Sequence, residues 1–168
     1  MEEKLPKRKY VRLKSHNYDV PGAYFITVCT QDREQTLSAV GAIHESPAIT
    51  LKEYGAILED VIRDIPEHFG VIVDKYVIMP DHVHFILVIT RENAERAIRE
   101  SPLRNRSIIS NAVGYVKMMS SKRIHSKCNN HDVIWQRSYY EHIIRDKNDY
   151  EKIVEYIHNN PLKWQHKQ

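Results

Sequence analysis

The segment from Tyr76 to Ile89 constrains this chain more than any other. It reads Tyr-Val-Ile-Met, then Pro80-Asp81, then His-Val-His-Phe-Ile-Leu-Val-Ile. Its β-branched and aromatic content predicts strand on both sides of a break at Pro80. The connection Met79-Pro80-Asp81 is too short for a crossover, so the strands Val71 to Ile78 and His82 to Thr90 must form an antiparallel hairpin. Side chains alternate across a strand, so His82 and His84 share a face with Cα atoms ~6.6 Å apart, while Val83 points into the core. Lone strand histidines are more often satisfied by hydrogen bonds than used as ligands. A same-face pair on an apolar strand leaves both readings open, because a buried polar ring needs a partner.

The rest of the chain fits a mixed fold around that hairpin. Ala23 to Thr30 is a predicted strand, and a short strand is expected near Ser38 to Ile43. From Leu51 to His68, Tyr54, Ile57, Leu58, Val61, Ile62 and Ile65 recur at three- and four-residue spacing, which predicts a helix. Arg91 to Arg106 is expected to be a loop with a short helix. Ser107 caps a predicted helix to about His125 with Ile109, Ala112, Val113 and Val116 as its buried stripe. Val133 to Arg145 is expected to be a strand or an irregular packed segment. A final helix is capped by Asp146 or Asn148, carries Tyr150, Ile153, Val154 and Ile157 inward, and is expected to end before Pro161. Hairpin-linked strands with interspersed helices indicate an α+β fold, a ferredoxin-like antiparallel sheet with packed helices. At 168 residues the chain is expected to be one domain: a basic arm over 1–22, a catalytic core over 23–160 and a short tail over 161–168.

Charge narrows the partner class. The net charge is only +3, but Lys4, Lys7, Arg8, Lys9, Arg12 and Lys14 crowd one block. Arg104, Arg106, Lys117, Lys122, Arg123 and Lys127 crowd a second that holds no acid. Two such blocks suggest a polyanion, against the plainer reading of a solvated surface; cations near a helix C-terminus also suit its dipole. No apolar run approaches the ~20 residues of a membrane span, and the N-terminus lacks a signal-peptide core. Cys29 and Cys128 form no disulfide framework, so both are expected reduced and the protein cytoplasmic.

Two histidines are half of a metal site. A hard cation such as Mg²⁺ or Mn²⁺ also wants oxygen ligands, and its open position suits a phosphate oxygen. Tyr156 and Asn160 lie four residues apart on the last helix, so a phenol and an amide oxygen share one face. If that face covers the histidines, metal and nucleophile meet. A phenol has an ordinary pKa near 10 and needs nearby positive charge to attack at neutral pH. Asp81 is either a carboxylate that orients a histidine or a turn residue. Tyr139 and Tyr140 are rival nucleophiles whose alternative role is packing beside Trp135. Tyr115 is a candidate for base stacking or for the core. His125, Cys128 and His131 have zinc-like spacing but no fourth ligand.

Met79-Pro80-Asp81-His82-Val83-His84 resembles the histidine–hydrophobic–histidine (HUH) motif of single-tyrosine transposases. The runs Trp135 to Asp146 and Tyr156-Ile157-His158-Asn159-Asn160-Pro161 look like the same family. Gly22 to Arg33 is similar to its bacterial branch, the REP-associated tyrosine transposases. The resemblance runs from about residue 8 to 164. It implies a tyrosine that attacks a phosphodiester of single-stranded DNA, forming a 5′-phosphotyrosine and freeing a 3′-hydroxyl. Carried over by position, His82 and His84 are metal ligands, Asn160 the third ligand and Tyr156 the nucleophile. Lys117 matches a lysine that contacts DNA. Single-stranded or hairpin DNA is the implied partner of a monomer or homodimer. The alternative is a domesticated DNA-binding protein that no longer cleaves. A water-using nuclease is a third, weaker option.

Overall fold

The computed structural model describes residues 20–43, 46–100, 107–129 and 131–165. Four strands form the main sheet: β1 (Gly22–Cys29), β4 (Ile72–Ile78), β5 (His82–Ile89) and β6 (Tyr140–Ile144), in the order β4-β5-β1-β6. All neighbours are antiparallel. β1 and β4 therefore run the same way with β5 between them, which is the ferredoxin-like arrangement. A separate hairpin, β2 (Ser38–Ile43) and β3 (Ser46–Leu51), is inserted before the first helix. The helices are α1 (Glu53–Phe69), α2 (Arg91–Glu100), α3 (Ile108–Cys128) and α4 (Lys147–Gln165).

Strand alternation divides the core into two layers. Tyr24, Ile26 and Val28 of β1, with Val83, Phe85 and Leu87 of β5, pack on the apolar stripes of α1 and α3. Phe25 and Ile86 point to the opposite face and pack on Ile153 and Ile157 of α4. The sheet is thus covered on both sides, which explains why β5 reads as a nearly continuous apolar run. His82 and His84 are on the α4 face and are buried all the same, as is Asn160 of α4.

The β4–β5 turn is bolted in place. Thr30 donates to the Asp81 carbonyl from both its backbone N–H (2.9 Å) and its hydroxyl (2.9 Å). The Leu37 N–H donates to the Pro80 carbonyl at 3.0 Å, and the Ser38 hydroxyl to that of Ile78 at 2.9 Å. The Ile78, Pro80 and Asp81 carbonyls are thus satisfied by the segment that follows β1, so the start of β5 has a defined position.

Two expectations need correction. Leu51 does not begin α1: it pairs with Ser38 as the last residue of β3, a strand not anticipated because Pro47 interrupts its pattern. The short helix expected between Arg91 and Arg106 is α2, and 101–106 lie outside the described residues. Pro161 does not follow the end of α4 but sits inside it. Proline removes one backbone donor, and the helix continues because its last turn has other anchors. The Gln165 amide donates to the Gly41 carbonyl at 2.9 Å, and Trp164 packs toward the ring of His82. The cap is Asp146, whose carboxylate accepts from the Asp149 N–H at 2.9 Å. Among the described residues no helix is long and apolar enough to cross a membrane.

Candidate metal and nucleophile site

The α4 face of the sheet and α4 itself enclose a cleft of about 1080 Å³. Its wall includes His82, His84, Tyr156 and Asn160, so the sequence-expected groups from β5 and α4 meet there. The two imidazole centroids are 4.5 Å apart, and the Tyr156 ring stands edge-on to His84 at 5.3 Å. Phe25 fills the floor, stacked on His84 at 5.1 Å and edge-on to Tyr156 at 6.1 Å. Asn160 is buried one helical turn beyond Tyr156, which itself remains 40 % exposed.

Both histidines are oriented through Nδ1. Asp81 Oδ1 is hydrogen-bonded to His82 Nδ1, so Asp81 takes the orienting role and not merely that of a turn residue. Thr27 Oγ1 lies 2.8 Å from His84 Nδ1, placed there by the β1–β5 register that sets Thr27 opposite His84. A ring that donates from Nδ1 presents its Nε2 lone pair on the other side. His84 Nε2 is buried with no hydrogen-bond partner among the described residues. A buried polar atom left open in this way, beside a second oriented imidazole and an amide, fits a divalent cation. Among the described residues no three histidine, cysteine or carboxylate side chains cluster closely enough to hold an ion, and the buried Asn160 lines the same cleft as the two imidazoles.

Electrostatics keep the pair ready for that use. Burial, helped by the charges of His82 and Arg33 and opposed by Asp81, pushes His84 down to about 3. It is therefore neutral at physiological pH. Burial works against the charge of Asp81, but its hydrogen bond to His82 and the nearby charges of His82 and Arg33 outweigh that and hold the carboxyl below its usual range.

The basic candidates lie elsewhere. Lys117 is committed to the loop before β6: its ammonium donates to the carbonyls of Gln136 (2.6 Å), Arg137 (3.3 Å) and Ser138 (2.9 Å). Burial lowers its pKa. Arg123 pairs with Asp64 at 2.7 Å, while Lys122 is exposed. Arg8, Lys9 and Arg12 lie outside the described residues. Tyr139 packs on the α1–α3 core and Tyr140 lines the cleft, in register with Thr27. Tyr115 packs tilted against the His68 ring and edge-on to Phe69. Cys29 and Cys128 are free thiols.

The family described as transposase IS200 like matches residues 102–160, which span α3, β6 and the Tyr156–Asn160 turn of α4. A Haemophilus influenzae protein known only as an uncharacterized protein is 32 % identical over 96 % of this chain and 92 % of its own length. The chain belongs to the IS200-like transposase family. A second H. influenzae protein, named "Putative REP-associated tyrosine transposase", is 24 % identical over 84 % of this chain and 71 % of its own. A solved REP-associated tyrosine transposase bound to a REP hairpin superposes with a TM-score of 0.60 at 22 % identity, covering 90 % of this chain and 74 % of that one, and so shares the fold.

Several lining residues of this transposase escaped the sequence. Thr27 becomes visible only once β1 is known to lie beside β5. Lys163 is seven residues beyond Tyr156, a helical repeat legible in principle, but Pro161 argued for a stop. Arg33 ends the Gly22 to Arg33 run that carries the family resemblance, but the resemblance gives that arginine no role of its own.

Proposed function

We propose that this IS200-like transposase cleaves and rejoins single-stranded DNA, with Tyr156 as nucleophile, at hairpin-forming sequences. The observation that carries the reading is the exposed Tyr156 phenol on the same cleft wall as the buried, unpartnered Nε2 of His84. His82, His84 and Asn160 are the residues that would hold Mg²⁺ or Mn²⁺, which when bound would polarise a phosphate oxygen and stabilise charge in the transition state. Asp81 and Thr27 hold the two rings in their ligand tautomers. Tyr156 Oη attacks phosphorus, its proton leaves, and the bond to the 3′-oxygen breaks. DNA then remains on Tyr156 through its 5′-phosphate, the freed 3′-oxygen takes up a proton, and the reverse reaction joins strands. The solved relative bound to a REP hairpin supports hairpin DNA as substrate. The basic arm with Arg8, Lys9 and Arg12, together with Lys122, would add contacts to DNA phosphates. Lys117 serves the fold first.

The test is a denaturing gel of full-length protein incubated with labelled hairpin-bearing single-stranded DNA and Mn²⁺. A covalent adduct is expected with the wild type and with Tyr140→Phe, and none with Tyr156→Phe. Tyr140 is the control because it is 51 % exposed in the same cleft. An adduct lost in Tyr140→Phe and kept in Tyr156→Phe reverses the assignment. Binding without any adduct supports the non-cleaving alternative.

A further inference from the structure

The cleft holds two cations that the reaction as drawn leaves idle. Arg33 lies in the turn after β1, and Lys163 in the last turns of α4. Both line the same cleft as His82 and Tyr156.

Arg33 is presented by an unusual backbone. Asp32 and Arg33 both have left-handed conformations, with φ of 51° and 60°. Non-glycine residues occupy that region at a cost, and two in succession persist only where neighbours enforce them. Here the Thr30 hydroxyl donates to the Glu34 carbonyl at 2.8 Å, and the Arg33 N–H donates to the Thr30 carbonyl at 3.3 Å. Thr30 is itself the residue that bolts the histidine hairpin. The strained turn thus places Arg33 in fixed relation to His82. Its guanidinium is 55 % exposed and reaches Asp81 at 3.4 Å, the long end of a hydrogen bond, while the other Asp81 oxygen serves His82. Most of the five donors in its fork have no partner among the described residues.

Lys163 is the counterpart on the other element. Its ammonium sits 5.1 Å from the Tyr156 ring centroid, and among the described residues it has no carboxylate partner. Its place depends on α4 running through Pro161, with Gln165 anchored on Gly41. The two carboxylates of the cleft are already engaged, Asp81 with His82 and Asp149 with His142. The cleft therefore carries basic side chains at two separate points, Arg33 beside His82 with only a long contact to Asp81, and Lys163 beside Tyr156.

We propose that Arg33 and Lys163 are a two-point phosphate clamp for a single nucleic-acid strand, holding the phosphates on either side of the reacting one. The proposal rests on the reading that the cleft takes DNA. A guanidinium fork can grip two oxygens of one phosphate and fix its orientation, whereas an ammonium acts as a point charge that tolerates a range of strand positions. Orientation is thus set on the His82 side and attraction is added on the Tyr156 side.

The clamp is tested without cleavage. Full-length protein in EDTA binds a labelled single-stranded oligonucleotide of mixed sequence, followed by fluorescence anisotropy across a salt series. Each phosphate contact contributes about 0.7 to the slope of log K against log salt on a single strand. Arg33→Met and Lys163→Met should each flatten the slope by about that amount. Lys152→Met, on the exposed side of α4, should leave it unchanged, and Arg33→Lys should keep the slope while weakening binding. Mn²⁺ affinity measured by electron paramagnetic resonance should match the wild type in Lys163→Met and Arg33→Lys. An unchanged slope in Lys163→Met, or in Arg33→Met with circular dichroism like the wild type, overturns the clamp. Wild-type protein that binds no oligonucleotide overturns the clamp and the DNA reading together. Normal slopes with no Tyr156 adduct overturn only the cleavage reading.

Discussion

Acid should unfold this protein through His84. In the unfolded chain that imidazole takes up a proton near its ordinary value of 6.5, whereas burial in the fold holds it down to about 3. Between those values the unfolded state binds more protons, so stability present above pH 6.5 is lost progressively as the pH falls toward 3. Each unit of difference is worth about 1.4 kcal/mol, so the loss from His84 between pH 7 and pH 5 is about 2 kcal/mol. It reaches about 4 kcal/mol by pH 3, a large share of the ~5–15 kcal/mol that holds a domain together. His84→Gln removes the titration and keeps a side chain able to hydrogen-bond to Thr27. Urea unfolding followed by the fluorescence of Trp135 and Trp164, in chelator and at constant ionic strength, measures both proteins at the two pH values. Wild type should lose about 2 kcal/mol more than His84→Gln over that interval. Equal losses would refute the argument, as would an NMR titration of folded protein with a His84 midpoint near 6.5.

Other expectations rest on separate contacts. Thr27→Val removes the group that orients His84, and should lower Mn²⁺ affinity by about 10- to 100-fold in calorimetry with little change in stability. Ser120→Ala leaves the buried Trp135 indole N–H, now 2.9 Å from Ser120 Oγ, without an acceptor. Chemical denaturation should show a loss of about 1–3 kcal/mol. Gly55→Ala would set a Cβ 2.0 Å from the Leu37 carbonyl oxygen, a backbone atom that cannot move aside cheaply. The melting temperature should drop accordingly, by more than any exposed alanine substitution on α1 causes. Lys117→Met should cost about 1.5–3 kcal/mol of stability by releasing the 136–138 loop, and should leave the salt slope of DNA binding unchanged if its role is to hold that loop.

The secondary elements near the site were legible because local spacing encodes them. Alternation along β5 placed His82 and His84 together and turned Val83 into the core. Helical spacing placed Tyr156 and Asn160 on one side of α4. Where local signals conflicted, the reading failed. Pro161 and Pro47 are breakers by local rules, yet α4 runs through the first, its end anchored by Gln165 on Gly41, and β3 contains the second. Lys117 shows a related limit: its place among cations says nothing of the 136–138 carbonyls that its ammonium meets in the fold.

The sequence by itself determined the chemistry available: two same-face imidazoles, a phenol and an amide at helical spacing, and two basic blocks. Only the tertiary structure decided that the α4 face meets the histidine face and that Thr27 and Asp81 take the two Nδ1 atoms. It likewise set Arg33 and Lys163 at separate points of one cleft. Faces follow from the periodicity of neighbouring residues, which any short window contains. Which face meets which depends on strand order and helix packing across the whole chain, where His84 and Tyr156 become neighbours only because β1, β5 and α4 settle into one core.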